Sequence, residues 1–263
     1  MVLDPIAFSI GPLDIRWYGL VYVIGFLFAY WFVTRYAEWF SFSRQMIEDI
    51  FLYVMIGSVL GGRLFYVLFY RLEYYLADPL KIFAVWEGGM SIHGGIFMTI
   101  VVLFIASRYY GISFIRLADL FSVPGNLAFA FGRLANHVNQ EVIGTITTSS
   151  WGVVYPAVDD QLRWPVALFA GAKNLVVFQC LFAAMLFARL PQGMLAGLFL
   201  IGYNLPRFFI DFLREPTREL VWFSLGQWFC LVFTLAGIVS CVMAIRNHRR
   251  NYSADTQSQK QSS

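Results

Sequence analysis

An all-α membrane protein that crosses the bilayer about seven times is the fold class this sequence predicts, and three observations predict it. The chain of 263 residues is 59% hydrophobic and only 13% charged, where a soluble domain carries about 25% charged residues. Its mean hydropathy is +0.64, and 27 Phe, 14 Tyr and 8 Trp add bulk that a polar surface could not cover. Its apolar runs are also continuous, whereas the strands of a membrane barrel alternate residue by residue. The solvent such a chain requires is a bilayer.

About 17–25 apolar residues make one crossing, which places spans near 17–34, 49–70, 92–107, 117–134, 165–188, 193–212 and 222–245. The first opens on Arg16-Trp17-Tyr18-Gly19, with aromatic residues suited to the interface. The second carries Gly61-Gly62-Arg63, and the short third begins inside GGMSIHGG. The fourth runs into Arg133. Pro165 starts the fifth span, and Pro206 marks a kink in the sixth. The seventh ends at Arg246, Arg249 and Arg250, a basic cluster that sets the C-terminus in the cytoplasm and, with seven crossings, the N-terminus outside. In that orientation Lys173 and Arg163 count among the outer basic residues, and Arg35, Arg44, Arg108, Arg116, Arg189 and Lys260 among the inner ones. Residues 1–248 form one transmembrane domain, and 249–263 read as a polar, disordered cytoplasmic tail.

Composition also excludes several classes of function. The N-terminal stretch lacks a basic region and a small-residue cleavage site, so no removable signal peptide is expected. Cys180, Cys230 and Cys241 fall in apolar runs, are odd in number and show no metal-type spacing, so they read as small buried residues. A net charge of +3, spread along the chain, does not suit nucleic acid.

Three arginines lie within or at the edge of predicted spans: Arg63, Arg133 and Arg207. Each costs roughly 2.5–3.5 kcal/mol at a helix centre, so each must face protein or a water-filled cavity. The bland alternative is snorkelling or a structural ion pair. Around Arg207 the order Tyr203, Arg207, Asp211, Arg214 puts four polar side chains on one helical face. Asp211 can pair with either arginine, leaving about one positive charge for an anionic ligand; a purely structural triad is the competing reading. In GRLANHVNQEVIG, Arg133, Asn136 and either Asn139 or Gln140 form a polar stripe if the fourth helix continues. Gly132 admits a close neighbour, and His137 and Glu141 have the spacing of a pair. Arginine forks and neutral amides at membrane depth suit a phospholipid headgroup. His93, between two glycine pairs, reads on its own as a structural residue.

Taken together, IGPLDIRWYGL, GGRLFYVLFY, WEGGMSIHGG, GRLANHVNQEVIG and LIGYNLPRFFIDFLREP, in this order, resemble the prolipoprotein diacylglyceryl transferase family. The family signature is G-R-x-G-N-F-x-N-x-E-x-x-G, and Gly132, Arg133, Asn136, Asn139, Glu141 and Gly144 match it. The resemblance implies a bacterial plasma-membrane enzyme that moves a diacylglyceryl group from phosphatidylglycerol to the lipobox cysteine thiol of a prolipoprotein and releases glycerol 1-phosphate. It assigns the lipid phosphate to Arg133 and Arg207 and a catalytic role to His93. It marks Tyr18, Asn136, Asn139, Glu141, Gly144 and Tyr203 as substrate-site positions, with Arg63, Asp211 and Arg214 in support. No cofactor, metal or nucleotide is implied.

These residue types fit that chemistry. A thiol of ordinary pKa near 8.5 needs a base or a positive field to attack carbon, and arginines stabilise charge on a departing phosphate. The chain departs from the family pattern at Ala135 and His137. It departs again at Trp164-Pro165-Val166-Ala167-Leu168-Phe169-Ala170, where the family often has His-Pro-Ser/Thr-x-Leu-Tyr-Glu. Those groups are either dispensable or their loss marks a paralogue of altered activity. The rival reading is a phospholipid-binding transporter or scaffold that keeps the headgroup site without the chemistry.

Overall fold

A computed structural model of the chain describes residues 6–11, 13–85, 88–188, 190–215, 219–220 and 222–261. The side chains of 10, 13–16, 18, 219–220, 251–252 and 254–261, Arg16, Tyr18 and Lys260 among them, lie outside the described set, as does all of Arg189.

Seven helices are long and apolar enough to cross a membrane: Gly19–Phe40, Arg44–Tyr70, Ile92–Tyr109, Phe114–Val138, Val166–Phe187, Met194–Leu213 and Leu225–Arg250. Each coincides with a span expected from the sequence. In chain order the helices are α1 (Trp17–Tyr36), α2 (Arg44–Tyr70), α3 (Leu72–Ala77), α4 (Ile92–Tyr109), α5 (Phe114–Val138), α6 (Val166–Phe187), α7 (Met194–Ile210) and α8 (Leu225–Gln261). Three two-stranded antiparallel hairpins decorate them: β1 (Ile6–Ile10) with β2 (Leu13–Arg16), β3 (Val153–Val154) with β4 (Leu162–Arg163), and β5 (Glu219–Leu220) with β6 (Phe223–Ser224).

Local chemistry starts and stops these helices. Ser43 caps α2, its hydroxyl accepting from the Met46 amide at 3.2 Å. Pro165 stands at the N-cap of α6, and Pro206 falls inside α7 and cannot bond the Gly202 carbonyl. The N-terminus of α7 is capped from a distance: the buried Asp119 carboxylate accepts from Gly193 at 2.6 Å and Ala196 at 2.8 Å. The backbone of α8 continues to Gln261, through the stretch expected as a disordered tail. No proline or glycine interrupts it there, and extending a helix costs far less than nucleating one.

The contacts group into two compact units, Tyr30–Ala118 and the remainder, Met1–Ala29 with Asp119–Ser263. In the Tyr30–Ala118 unit, Phe32, Ile47, Ile50 and Leu117 are fully buried, and α2 packs on α4 at glycine. A Cβ at Gly94 would meet the Gly61 carbonyl and the Phe65 Cβ, and one at Gly61 would lie 2.6 Å from the Gly94 carbonyl. Small residues let two backbones meet where lipid supplies no hydrophobic drive between helices. The larger unit is built on α5 to α8 with Leu120, Val123, Asn126 and Asn174 fully buried. Outward-facing Leu231, Val232, Leu235 and Val239 on α8 are exposed, as a lipid-facing surface requires.

Candidate active site

Within the larger unit, the end of α5 and the end of α7 are tied by a short piece of backbone pairing. Gly144 donates to the Trp164 carbonyl at 3.2 Å, Thr145 to Leu213 at 2.9 Å, and Glu215 to Ile143 at 3.2 Å. Residues 143–145 thus run between the segment before α6 and the segment after α7. A Cβ at Gly144 would collide with the Trp164 carbonyl and lie 2.8 Å from that of Leu213, so only glycine fits. Trp164 takes part in this tie through its main chain.

Arg163, 6% exposed, locks this tie. It donates to Asp159 at 2.6 Å, to Glu215 at 2.6 Å and to the Gly144 carbonyl at 3.1 Å. Its hydrogen bonds hold the Asp159 carboxyl below the usual carboxylate range. Along the chain Arg163 reads only as an outer flanking charge. The partner that reveals its role, Glu215, lies 52 residues away, beyond any local signal.

The GRLANHVNQEVIG stretch folds back on itself after α5. Arg133 and Asn136 share the last turns of the helix, with Arg133 Nη1 3.5 Å from Asn136 Oδ1. Asn136 donates in turn to Glu141 at 2.9 Å, and Asn139 to the same carboxylate at 3.4 Å. Beyond Val138 the helix stops, and Gln140 (φ 55) and Val142 (φ 57) adopt left-handed conformations. For a β-branched residue such as Val142 that is an outlier costing roughly 1–3 kcal/mol, a strain often found at functional sites. Gln140 leaves the expected stripe and accepts from the Ala157 amide at 2.8 Å. His137 and Glu141 do not pair, because the His137 Nδ1 lies 3.1 Å from the Tyr155 hydroxyl. Among the described residues an added Cβ at Gly132 would meet nothing within 4 Å, so no described helix packs against it.

On α7, Arg207 donates to the Tyr203 hydroxyl at 3.2 Å. Asp211 begins a 3-10 turn over 211–213 and accepts from the Ser224 hydroxyl at 2.8 Å. Its ion pair is with Arg214, at 3.9 Å, so of the two arginines open to it the carboxylate contacts Arg214. Lys173 joins them from α6. Its ammonium donates to the Tyr203 carbonyl at 2.9 Å and stands 3.8 Å from the centroid of the Tyr203 ring. Lys173 and Arg214 both lie near enough to Arg133 and Arg207 to feel their charge. Lys173 falls inside the predicted span 165–188, although along the chain it reads as an outer flanking charge. Arg133, Lys173, Arg207 and Arg214 thus lie within reach of one another's charge; among the described residues the carboxylate ion-paired to any of them is Asp211, on Arg214, with Glu141 exposed at the rim. This excess of positive charge suits an anion. Beside it, Val176, Val177, Cys180, Leu181, Leu198 and Gly202 line an apolar groove of about 230 Å³ between α6 and α7.

Two predicted site residues belong to the Tyr30–Ala118 unit. Arg63, 4% exposed, donates to the carbonyls of Lys81, Ile82, Ala84, Gly88 and Gly89, and its guanidinium stands 5.0 Å from the Tyr75 ring centroid. A guanidinium has five N–H groups, and all are spent on the main chain. Arg63 therefore fixes the loop that precedes α4 and has no fork left for a phosphate. His93 lies in the first turn of α4 with an exposed side chain. The side chain of Tyr18 is outside the described residues.

Comparison with known proteins bears on what this cluster does. A family model described as prolipoprotein diacylglyceryl transferase matches residues 5–243. A phosphatidylglycerol–prolipoprotein diacylglyceryl transferase of Pseudoalteromonas atlantica is 37% identical over 97% of this chain and 92% of its own. Proteins of the same name from Oleidesulfovibrio alaskensis and Geobacter sulfurreducens are each 38% identical, over 94% and 93% of this chain and 95% and 96% of their own.

Proposed function

We propose that this chain, which belongs to the prolipoprotein diacylglyceryl transferase family, transfers the diacylglyceryl group of phosphatidylglycerol to the lipobox cysteine thiol of a prolipoprotein. The product is a thioether, and glycerol 1-phosphate leaves. The observation that carries this reading is the meeting of Arg133 from α5, Lys173 from α6 and Arg207 from α7 around an excess of positive charge, with an apolar groove alongside. The cations suit the lipid phosphate, and the groove suits an acyl chain, which has no polar group to satisfy. Asn136 and Glu141 hold the rim where the hydroxyls of the headgroup need hydrogen-bond partners. His93 is assigned a catalytic role by its place in the family motif.

The chain is a multi-pass protein of the bacterial plasma membrane. The proposed orientation puts the N-terminus outside, the C-terminus inside, and Glu141 toward the outer leaflet, where exported prolipoproteins arrive. An impermeant thiol reagent should label Asp160→Cys in intact cells and Ser253→Cys only after lysis; the reverse pattern inverts the topology.

Complementation of a transferase-depleted bacterium tests the reaction. The chain should restore growth, and mass spectrometry of a reporter lipoprotein should show one diacylglyceryl group on its lipobox cysteine. An unmodified reporter, with the chain present in the membrane at normal levels, would overturn the reading in favour of a lipid-binding protein without chemistry.

A further inference from the structure

Resting on that reading, we infer that Lys173 is a further catalytic residue, a third cation that contacts the lipid phosphate and holds the second negative charge formed there as the headgroup leaves. Its position carries the argument. The ammonium is anchored by the Tyr203 carbonyl at 2.9 Å and by the Tyr203 ring at 3.8 Å, which occupies two of its three N–H directions. Among the described residues no carboxylate forms an ion pair with it, and the cations Arg133 and Arg207 lie within reach of its charge. A buried cation beside two others is unfavourable until an anion joins them. The Tyr203 anchor fixes the ammonium on the same side chain that receives Arg207, so Lys173 and Arg207 address one ligand together.

The reaction supplies an anion whose charge grows. The thiol proton passes to solvent, and the sulfur forms a bond to the glycerol carbon. The bond from that carbon to the phosphate oxygen breaks, and its electron pair stays on the oxygen. A phosphodiester with one negative charge becomes a phosphate monoester carrying about 1.5 to 2 at pH 7. Arg133 and Arg207 bring two positive charges to the one negative charge of the intact diester, which therefore gains little from a third. A third cation is matched to the charge that appears only as the bond breaks, which is the kind of interaction that raises kcat rather than affinity for the substrate.

The test compares the full chain with Lys173→Met and Lys173→Arg in detergent micelles. Lipidation kinetics are read together with competition by two soluble anions, glycerol 1-phosphate and the singly charged diester glycerophosphoglycerol. Lys173→Met should lower kcat about tenfold with little change in KM for phosphatidylglycerol. It should also weaken glycerol 1-phosphate about tenfold while leaving the diester unchanged, and Lys173→Arg should recover most of both. Thermal stability of Lys173→Met should not fall, since the change removes a like charge from the cluster. Equal weakening of both anions, or no change in either, overturns the inference, and so does an unchanged kcat. If the wild-type chain lipidates nothing, the proposed reaction fails separately. Thermal shifts with the two anions then still decide whether Lys173 discriminates their charge. Should Lys173→Met not accumulate, Lys173→Gln carries the same comparison.

Discussion

The two terminal glycines of GRLANHVNQEVIG make opposite predictions, and alanine at each tests the geometry around the site. At Gly144 the added methyl meets the Trp164 carbonyl on one side and the Leu213 carbonyl, at 2.8 Å, on the other. Neither is the far end of a flexible side chain, so a strand must move. Forcing a methyl into a packed position costs about 1–3 kcal/mol. Losing the Gly144–Trp164 or Thr145–Leu213 hydrogen bond adds about 1 kcal/mol for each backbone bond broken. Gly144→Ala should therefore lose about 3 kcal/mol and most of its activity, because the displaced segments carry Glu141 and Arg214. At Gly132 an added methyl meets nothing within 4 Å, and replacing a helical glycine by alanine gains about 0.5–1 kcal/mol. Thermal unfolding of the purified proteins in detergent, alongside lipidation of a reporter, reads both variants. Equal melting temperatures for the two, or a Gly144→Ala protein as stable as wild type, would refute the backbone-tie argument.

Other perturbations separate the roles of the arginines and of Asp159. Arg133→Ala should abolish lipidation, and Arg133→Lys, which keeps charge but loses the planar fork, should cost at least about tenfold in kcat/KM; wild-type activity in both removes Arg133 from the site. Arg63→Lys offers three N–H groups where five carbonyls are held, so it should lose about 2–3 kcal/mol of stability. Its membrane abundance would fall, and an unaffected melting temperature would contradict the loop-fixing role. Asp159, whose carboxyl Arg163 holds below its usual range, contributes stability that is present above its unfolded pKa near 3.9 and is lost as pH falls through the lower folded value. Asp159→Asn should thus be less stable than wild type at neutral pH and show a flatter loss below about pH 4. Parallel acid-unfolding curves for the two proteins would dismiss the pair.

What a sequence can display is local, and the membrane makes local information unusually strong. Each crossing must satisfy its own backbone hydrogen bonds within one helix, so an apolar run of sufficient length was enough to place all seven spans. The cost of an arginine in lipid likewise singled out Arg133 and Arg207 before any contact was known. The same rule left the role of Arg63 open, because insertion cost says that a buried arginine needs partners but not whether they are ligands or main-chain carbonyls. Helical spacing placed Tyr203 and Arg207 on one face, yet it could not foresee where α5 ends. Gln140 therefore left the expected stripe, and His137 turned to Tyr155 instead of Glu141. Tertiary structure alone decided the rest. Gly144 has no room for a side chain because segments from two distant parts of the chain close on it. Arg163 is buried because Asp159 and Glu215 converge on it, and Lys173 reaches Tyr203 through the approach of α6 to α7. A charge read along the chain is either inside or outside a span; only packing determines which other charges it meets, and that sum is what binds an anion.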